Sequence, residues 1–305
     1  MLTAGMGANL GRRARLVILV ALASVACGLA PAGGTSSGKV EVVAAENFWG
    51  SIAEQVGGDR AHVTSLIANP DTHPHDYEAT PRDAQLLARA GYVIFNGAGY
   101  DAWAPKLLAA NPVAGRRTLD VGALVGVPEG GNPHLWYSPG YVSKVIDRLS
   151  ADLKQLDPAD AGYFDSQSRA YGTLALKDYS ATLASIRQKY AGAPVGASES
   201  IFVYTAEATG LNLVTPPGYM KAVSEGTDPS AADRVTVDEQ VSKRQIRVFL
   251  FNSQNSTPDV QGVVGRARAA GIPVVQFTET LAPANLTFQD WQTRQLQALL
   301  AALGG

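Results

Sequence analysis

Thr80-Pro81-Arg82-Asp83-Ala84-Gln85-Leu86-Leu87-Ala88-Arg89-Ala90-Gly91-Tyr92-Val93-Ile94-Phe95-Asn96 decides the fold. Thr80 stands where a helix N-cap belongs, Pro81 takes the first helical position, and Asp83 lies three residues after the cap. A hydroxyl and a carboxylate in that register satisfy backbone N–H groups that a first helical turn leaves orphaned. Gly91 stops the helix, and Tyr92–Asn96 (YVIFN) is an apolar run of strand length. A capped helix handing over to a buried strand is part of a βαβ unit, the unit that builds parallel sheets.

Working outward, the same grammar repeats. Val40–Ala45 (VEVVAA) and His62–Ala68 (HVTSLIA) read as strands around a helix at Trp49–Val56, and Ala104–Asn111 reads as a further helix. Ser138-Pro139 opens a helix whose Val142, Val145, Ile146, Leu149 and Leu153 form one apolar stripe. From Pro158 a second helical stretch runs to Tyr190, about 50 Å at the helical rise, long enough to link two lobes. Strands then return at Ala193–Ala197, Leu211–Thr215, Val248–Asn252 and Val274–Phe277. Helices alternate with them at Ile201–Ala208, Ser230–Val241, Pro258–Ala270 and Asp290–Leu303. The expected fold class is α/β, with two lobes, each a mainly parallel sheet flanked by helices, joined by one long rigid connector helix. The expected lobes are residues 39–157 and 191–305, with the connector at 158–190.

The chain has 305 residues, 46% hydrophobic and 17% charged, ample for two packed cores. A net charge of -2 leaves no basic footprint, which argues against a nucleic-acid partner. Arg12, Arg13 and Arg15 precede the 11-residue apolar run Leu16–Ala26, too short to span a bilayer comfortably and suited to a signal peptide over residues 1–27. The single cysteine, Cys27, follows Ser24-Val25-Ala26 and resembles a bacterial lipobox, where the cysteine becomes the lipidated first residue. The Gly/Ser-rich segment 28–38 reads as a flexible tether. With one cysteine no internal disulfide is possible.

Only four histidines occur: His62, His73, His75 and His134. His73 and His75 sit with Asp76 and Glu78 in the turn Thr72–Pro81, and His134 sits in Asn132-Pro133-His134-Leu135-Trp136. Imidazoles in Pro-flanked turns point to a transition-metal site. In α/β lobes ligands gather where loops leave the carboxyl ends of strands. His75, Glu199 and Glu279 each follow an expected strand, while His134 precedes a helix. These four divide two per half, so an ion held by all four would clamp an interlobe cleft. His62 reads as a structural strand residue, and His73, Asp76 and Glu78 as turn or supporting groups.

Three long segments in order carry a resemblance. HPHDYEATPRDAQLLARAGYVIFNGAGYDAW, NPHLWYSP and SEGTDPSAADRVTVDEQVSKRQIRVFLFNSQ are similar to the motifs of the substrate-binding proteins of zinc and manganese ABC importers, the TroA-like cluster A-I family. The resemblance covers roughly residues 39–303. It implies metal ligands at His75, His134, Glu199 and Glu279, with Asp290 or Glu225 as alternatives for the last. Two imidazoles with two carboxylates form a harder set than three imidazoles with one, which favours Mn2+ over Zn2+ as the transported ligand. The implied partner is a membrane permease with a separate cytoplasmic ATPase, since the chain has no G-x-x-x-x-G-K-[ST]. The expectation is an exported monomer anchored by Cys27 to the outer face of the cytoplasmic membrane, or periplasmic, and not an enzyme. The competing readings are a metal-stabilised adhesin or partner-binding lipoprotein, and a metallo-hydrolase using Asp76 or Glu207 as base. The hydrolase lacks H-E-x-x-H and the open coordination position that catalysis needs.

Overall fold

The computed structural model describes residues 38–70, 72 and 77–304. The expected leader with Cys27, the tether through residue 37, and His73, His75 and Asp76 lie outside the described residues. Among the described residues no helix is long and apolar enough to cross a membrane.

The first half runs β1 (Val40–Glu46), α1 (Asn47–Gly57), β2 (Ala61–Ile67), α2 (Pro81–Arg89), β3 (Tyr92–Phe95), α3 (Trp103–Ala110), β4 (Arg117–Asp120), α4 (Val121–Val125) and α5 (Pro139–Leu156). Then come α6 (Ala161–Ala170) and α7 (Lys177–Tyr190). The second half runs β5 (Pro194–Ala197), α8 (Val203–Thr209), β6 (Asn212–Leu213), α9 (Pro217–Ser224), α10 (Ala231–Ser242), β7 (Phe249–Asn252), α11 (Pro258–Ala269), β8 (Val274–Phe277) and α12 (Phe288–Leu303). Among the described residues each half forms one four-stranded sheet, in the orders β2-β1-β3-β4 and β6-β5-β7-β8, and every pairing is parallel. The two-lobed α/β architecture is therefore as the sequence implies.

Local chemistry explains the deciding stretch. The Thr80 hydroxyl accepts from the Asp83 N–H, and the Asp83 carboxylate accepts from the Thr80 N–H at 2.7 Å. β1 buries all five residues from Val42 to Glu46, as expected of a central strand covered on both faces. β4 (RTLD) escapes sequence reading because it has no apolar run. Pairing with β3, from Tyr92↔Arg117 to Phe95↔Asp120, makes it a strand. α9 follows Pro216 and opens on Pro217-Gly218, which reads as a break rather than a start.

The 158–190 stretch is helical, but it is not the single straight helix expected. A 3-10 turn at Pro158–Asp160 leads into α6, a π-helical turn spans Tyr171–Ala175, and Leu176 (φ -82, ψ 6) separates it from α7. Gly172 and Thr173 are weak helix formers, and the Thr173 hydroxyl donates back to the Arg169 carbonyl at 2.7 Å, so the ladder widens there. α6 packs on α1 and α5 of the first lobe, while α7 packs on α8 and α12 of the second.

One apolar core runs through both lobes, from Val42 and Trp49 to Phe277 and Trp291. Tyr137 of the first half packs on Phe277 and Trp291 of the second, with ring centroids 5.7 and 5.8 Å apart. Burying each such ring contributes about 1.5–3 kcal/mol, with roughly 0.5–1.5 kcal/mol more per well-placed aromatic pair. A continuous core of this kind opposes wide opening of the lobes.

Candidate metal centre

The carboxyl ends of the two sheets supply the candidate site. His134 precedes the short turn Leu135–Tyr137, Glu199 lies two residues beyond β5, and Glu279 two residues beyond β8. Each offers one ligand atom, and these atoms all lie within 4.8 Å of one another. All three side chains are buried, at 0%, 1% and 2% exposure. Buried charge at that spacing is expensive unless something neutralises it. His75, the fourth residue expected at the centre, is outside the described residues.

His134 is held in one tautomer. The Asn132 amide donates to the Ser200 carbonyl at 2.9 Å, which turns Asn132 Oδ1 toward the imidazole. Oδ1 accepts from His134 Nδ1–H at 2.8 Å and from the His134 backbone N–H at 3.2 Å. With the proton on Nδ1, the lone pair of Nε2 faces Glu199, 3.8 Å from Oε1. Trp136 and Tyr100 box the imidazole edge-on, at centroid distances of 5.4 and 6.4 Å.

The carboxylates are held by neutral donors. Asn252, at the end of β7, donates from Nδ2 to Glu199 Oε1 at 2.9 Å and to Glu279 Oε1 at 2.7 Å. Asn255 Nδ2 donates to Glu199 Oε2 at 3.0 Å, and the Tyr100 hydroxyl donates to Glu279 Oε2 at 2.7 Å. Burial first, and then the charge of Glu279, push the Glu199 carboxyl up to about 8. The loop carrying Glu279 is pinned on both sides. The Thr278 N–H donates to Gln295 and the Thr280 N–H donates to Gln254, each at 2.9 Å.

A second carboxyl pair lies behind Tyr100. Glu46 and Asp101 are both buried and lie close enough for the charge of Asp101 to act on Glu46. Burial first, then the charge of Asp101, hold Glu46 well above the ordinary carboxylate range, while burial lifts Asp101 to about 6. Asp101 accepts the Asn96 and Gly97 N–H groups at 2.6 and 2.9 Å, fixing the loop that presents Tyr100.

Of the alternatives for the fourth position, Asp290 lies at the start of α12, while Glu225 lines the cavity that opens onto the cluster. Asp290 accepts from the Thr287 hydroxyl at the start of α12, and exposed Glu225 pairs with Lys221. His62 lies on β2, exposed, with Nδ1 2.8 Å from Glu41 Oε2. Sequence reading did not single out Tyr100, Asn252 or Asn255, although Asn252 carries the right signal, a polar residue closing a buried strand. A cavity of about 620 Å³ opens onto the cluster, lined in part by Asn132, Ser200, Ser224, Asn255 and Glu279.

Two parallel-sheet lobes with a buried imidazole–carboxylate cluster between their strand ends define a solute-binding protein of metal uptake. The family described as "Zinc-uptake complex component A periplasmic" matches residues 42–302, and the chain belongs to that family. That makes it a binding component of transport rather than an enzyme. The chain is 26% identical over 215 residues to the manganese-binding lipoprotein MntA of Halalkalibacterium halodurans, covering 65% of this chain and 68% of that one. It is 25% identical over 311 residues to the zinc-binding lipoprotein AdcA of Streptococcus pneumoniae, covering 93% of this chain and 59% of that longer one. The structure of the Mn-bound periplasmic metal-binding protein from Candidatus Liberibacter asiaticus superposes with a TM-score of 0.71 at 21% identity, over 87% of this chain and 100% of that one.

Proposed function

We propose that the chain captures one divalent transition-metal ion between its lobes through His75, His134, Glu199 and Glu279. It delivers the ion to the permease of an ABC importer whose ATPase is a separate protein. The observation that carries this reading is the convergence of His134, Glu199 and Glu279 in a buried cluster at the facing strand ends. Manganese is the favoured cargo over zinc, because two carboxylates make the donor set hard. The relatives include both a manganese-binding and a zinc-binding lipoprotein, so the ion rests on the donor chemistry. In this reading residues 1–27 export the chain, Cys27 carries the lipid anchor, residues 28–38 tether a monomer to the outer face of the membrane, and 158–190 joins lobes 39–157 and 191–305.

The test is metal content by mass spectrometry of protein purified without chelator from cells supplied with manganese and zinc. One equivalent of either ion, lost in His75→Ala, His134→Ala and Glu279→Ala, is the expected result. No bound ion, or retention of the ion in all three variants, would sink the reading.

A further inference from the structure

Gln254 lies two residues beyond β7, half-buried, and its side chain touches the loops that follow β2 and β8. Its backbone N–H donates to Asn252 Oδ1 at 2.9 Å, which anchors it beside the residue that holds both carboxylates. Its Oε1 accepts the N–H of buried Thr280, the residue after Glu279, at 2.9 Å. That acceptance fixes the amide orientation, so the two hydrogens of Nε2 make the other contacts. One goes to Thr280 Oγ1 at 2.8 Å, and the other crosses to the Pro70 carbonyl of the first lobe. The segment Thr278–Leu281 belongs to the second lobe by sequence, yet the first lobe holds it along its length. The Tyr137 hydroxyl donates to the Thr278 carbonyl at 2.8 Å, the Tyr100 hydroxyl to Glu279 Oε2 at 2.7 Å, and the Leu281 N–H to Asn47 Oδ1 at 3.2 Å. At Thr280 the link to the first lobe runs through Gln254.

We infer that Gln254 is a positioning residue that clamps the Glu279 loop to the first lobe and so slows release of the captured ion. The inference rests on the reading of Glu279 as a metal ligand. Gln254 touches no ion in this account and acts through Thr280 and Glu279. An ion escapes when its ligands withdraw. A loop that has lost the three side-chain hydrogen bonds of Gln254 opens more often. Capture is governed by encounter and by charge at the cleft, and Gln254 is uncharged. The lost clamp therefore shows in the release rate. It acts alike on Mn2+ and Zn2+, because it holds a ligand without choosing the ion. Gln55 of α1 and Gln289 of α12 also join the lobes, by mutual hydrogen bonds of 2.9 and 2.7 Å, but outside the Glu279 loop. They separate the effect of this clamp from that of any lobe-crossing bond.

The experiment mixes protein loaded with Mn2+ alone or Zn2+ alone with excess chromophoric chelator in a stopped flow, for the unaltered chain, Gln254→Met and Gln289→Met. Methionine keeps the length of glutamine and removes its amide. Association rates are measured at the same pH. The expected result is release about tenfold faster or more in Gln254→Met, for each ion that binds, with association within about threefold. Release from Gln289→Met is expected within about threefold of the unaltered chain. Equal acceleration in both variants would make Gln254 one lobe contact among others and overturn the inference. Unchanged release, or a change confined to association, overturns it as well. Should Gln254→Met fail to fold by circular dichroism, Gln254→Asn, one methylene too short to span Thr280 and Pro70, carries the test. Failure of both to fold assigns Gln254 to the fold and ends the inference. If the unaltered chain binds neither ion, the reading of the centre fails and the inference with it. One bound equivalent with unmoved release in the variants defeats only the role of Gln254.

Discussion

Tyr100 donates its hydroxyl to Glu279 Oε2 at 2.7 Å, joining a loop of the first sheet to a loop of the second across 179 residues of chain. The Tyr100 ring lies edge-on to the imidazole of His134, with centroids 6.4 Å apart, and its loop is fixed by the Asp101 turn. Tyr100→Phe keeps the ring and removes only the donor. Metal affinity is expected to fall about tenfold, read by isothermal titration calorimetry. An unchanged dissociation constant would remove Tyr100 from the centre.

The charge state of Glu199 predicts proton release on metal capture. Its carboxyl is raised from the ordinary 4.5 to about 8, first by burial and then by Glu279. At pH 7 the metal-free centre therefore holds a proton that an ion must displace. Apparent affinity should rise with pH by up to tenfold per unit and flatten above about pH 8. Titration in buffers of different ionisation enthalpy should report about one proton released at pH 7. No buffer dependence would contradict a protonated Glu199 in the metal-free centre.

The same shift has a definite sign for stability without metal. The folded state keeps a proton that the unfolded chain loses above about 4.5, so this stabilising contribution is full at low pH and is lost as pH rises toward about 8. Asp101, raised from 3.8 to about 6 by burial, acts in the same direction in its own window. The melting temperature of the metal-free protein should fall from pH 5 to pH 8, and Asp101→Asn should flatten the lower part of that slope. A rise over the range would reverse the argument.

Asn132 fixes the tautomer of His134 through Nδ1–H at 2.8 Å. Asn132→Leu leaves the imidazole free to take the wrong tautomer and removes a lobe-crossing bond to Ser200. Metal affinity should drop by about 10–100-fold, more than the loss of melting temperature explains, as followed by competition with a chromophoric chelator.

Gly97 begins three consecutive residues with positive φ: Gly97 at 70°, Ala98 at 55° and Gly99 at 85°. A Cβ on Gly97 would stand 2.1 Å from Asp120 Oδ1. Gly97→Ala should cost about 1–3 kcal/mol in urea unfolding and weaken metal binding by displacing Tyr100. Full stability in the variant would mean that the loop relaxes without consequence.

The motifs and their order were legible in the sequence because they rest on local rules. Thr80, Pro81 and Asp83 announce the helix, and runs such as VFLF announce buried strands, since capping and burial act over a few neighbouring residues. His134, Glu199 and Glu279 were legible as polar residues at the edges of expected elements. β4 was not legible, because Arg117, Thr118 and Asp120 carry no strand pattern of their own and are recruited by β3. The π-helical turn at Tyr171–Ala175 was hidden as well, because Gly172 and Thr173 weaken a helix without forbidding it, and only the folded chain shows where the ladder widens.

What the sequence by itself determined is the parallel α/β grammar, the two sheets and the stock of imidazole and carboxylate donors. What only the tertiary structure decided is how those donors are held. Asn252 lies 53 residues from Glu199 and 27 from Glu279, and Tyr100 lies 179 from Glu279. Hydrogen bonds between such distant positions follow no periodicity along the chain. They arise because two packed sheets bring their strand ends to one buried point, where each carboxylate requires a donor.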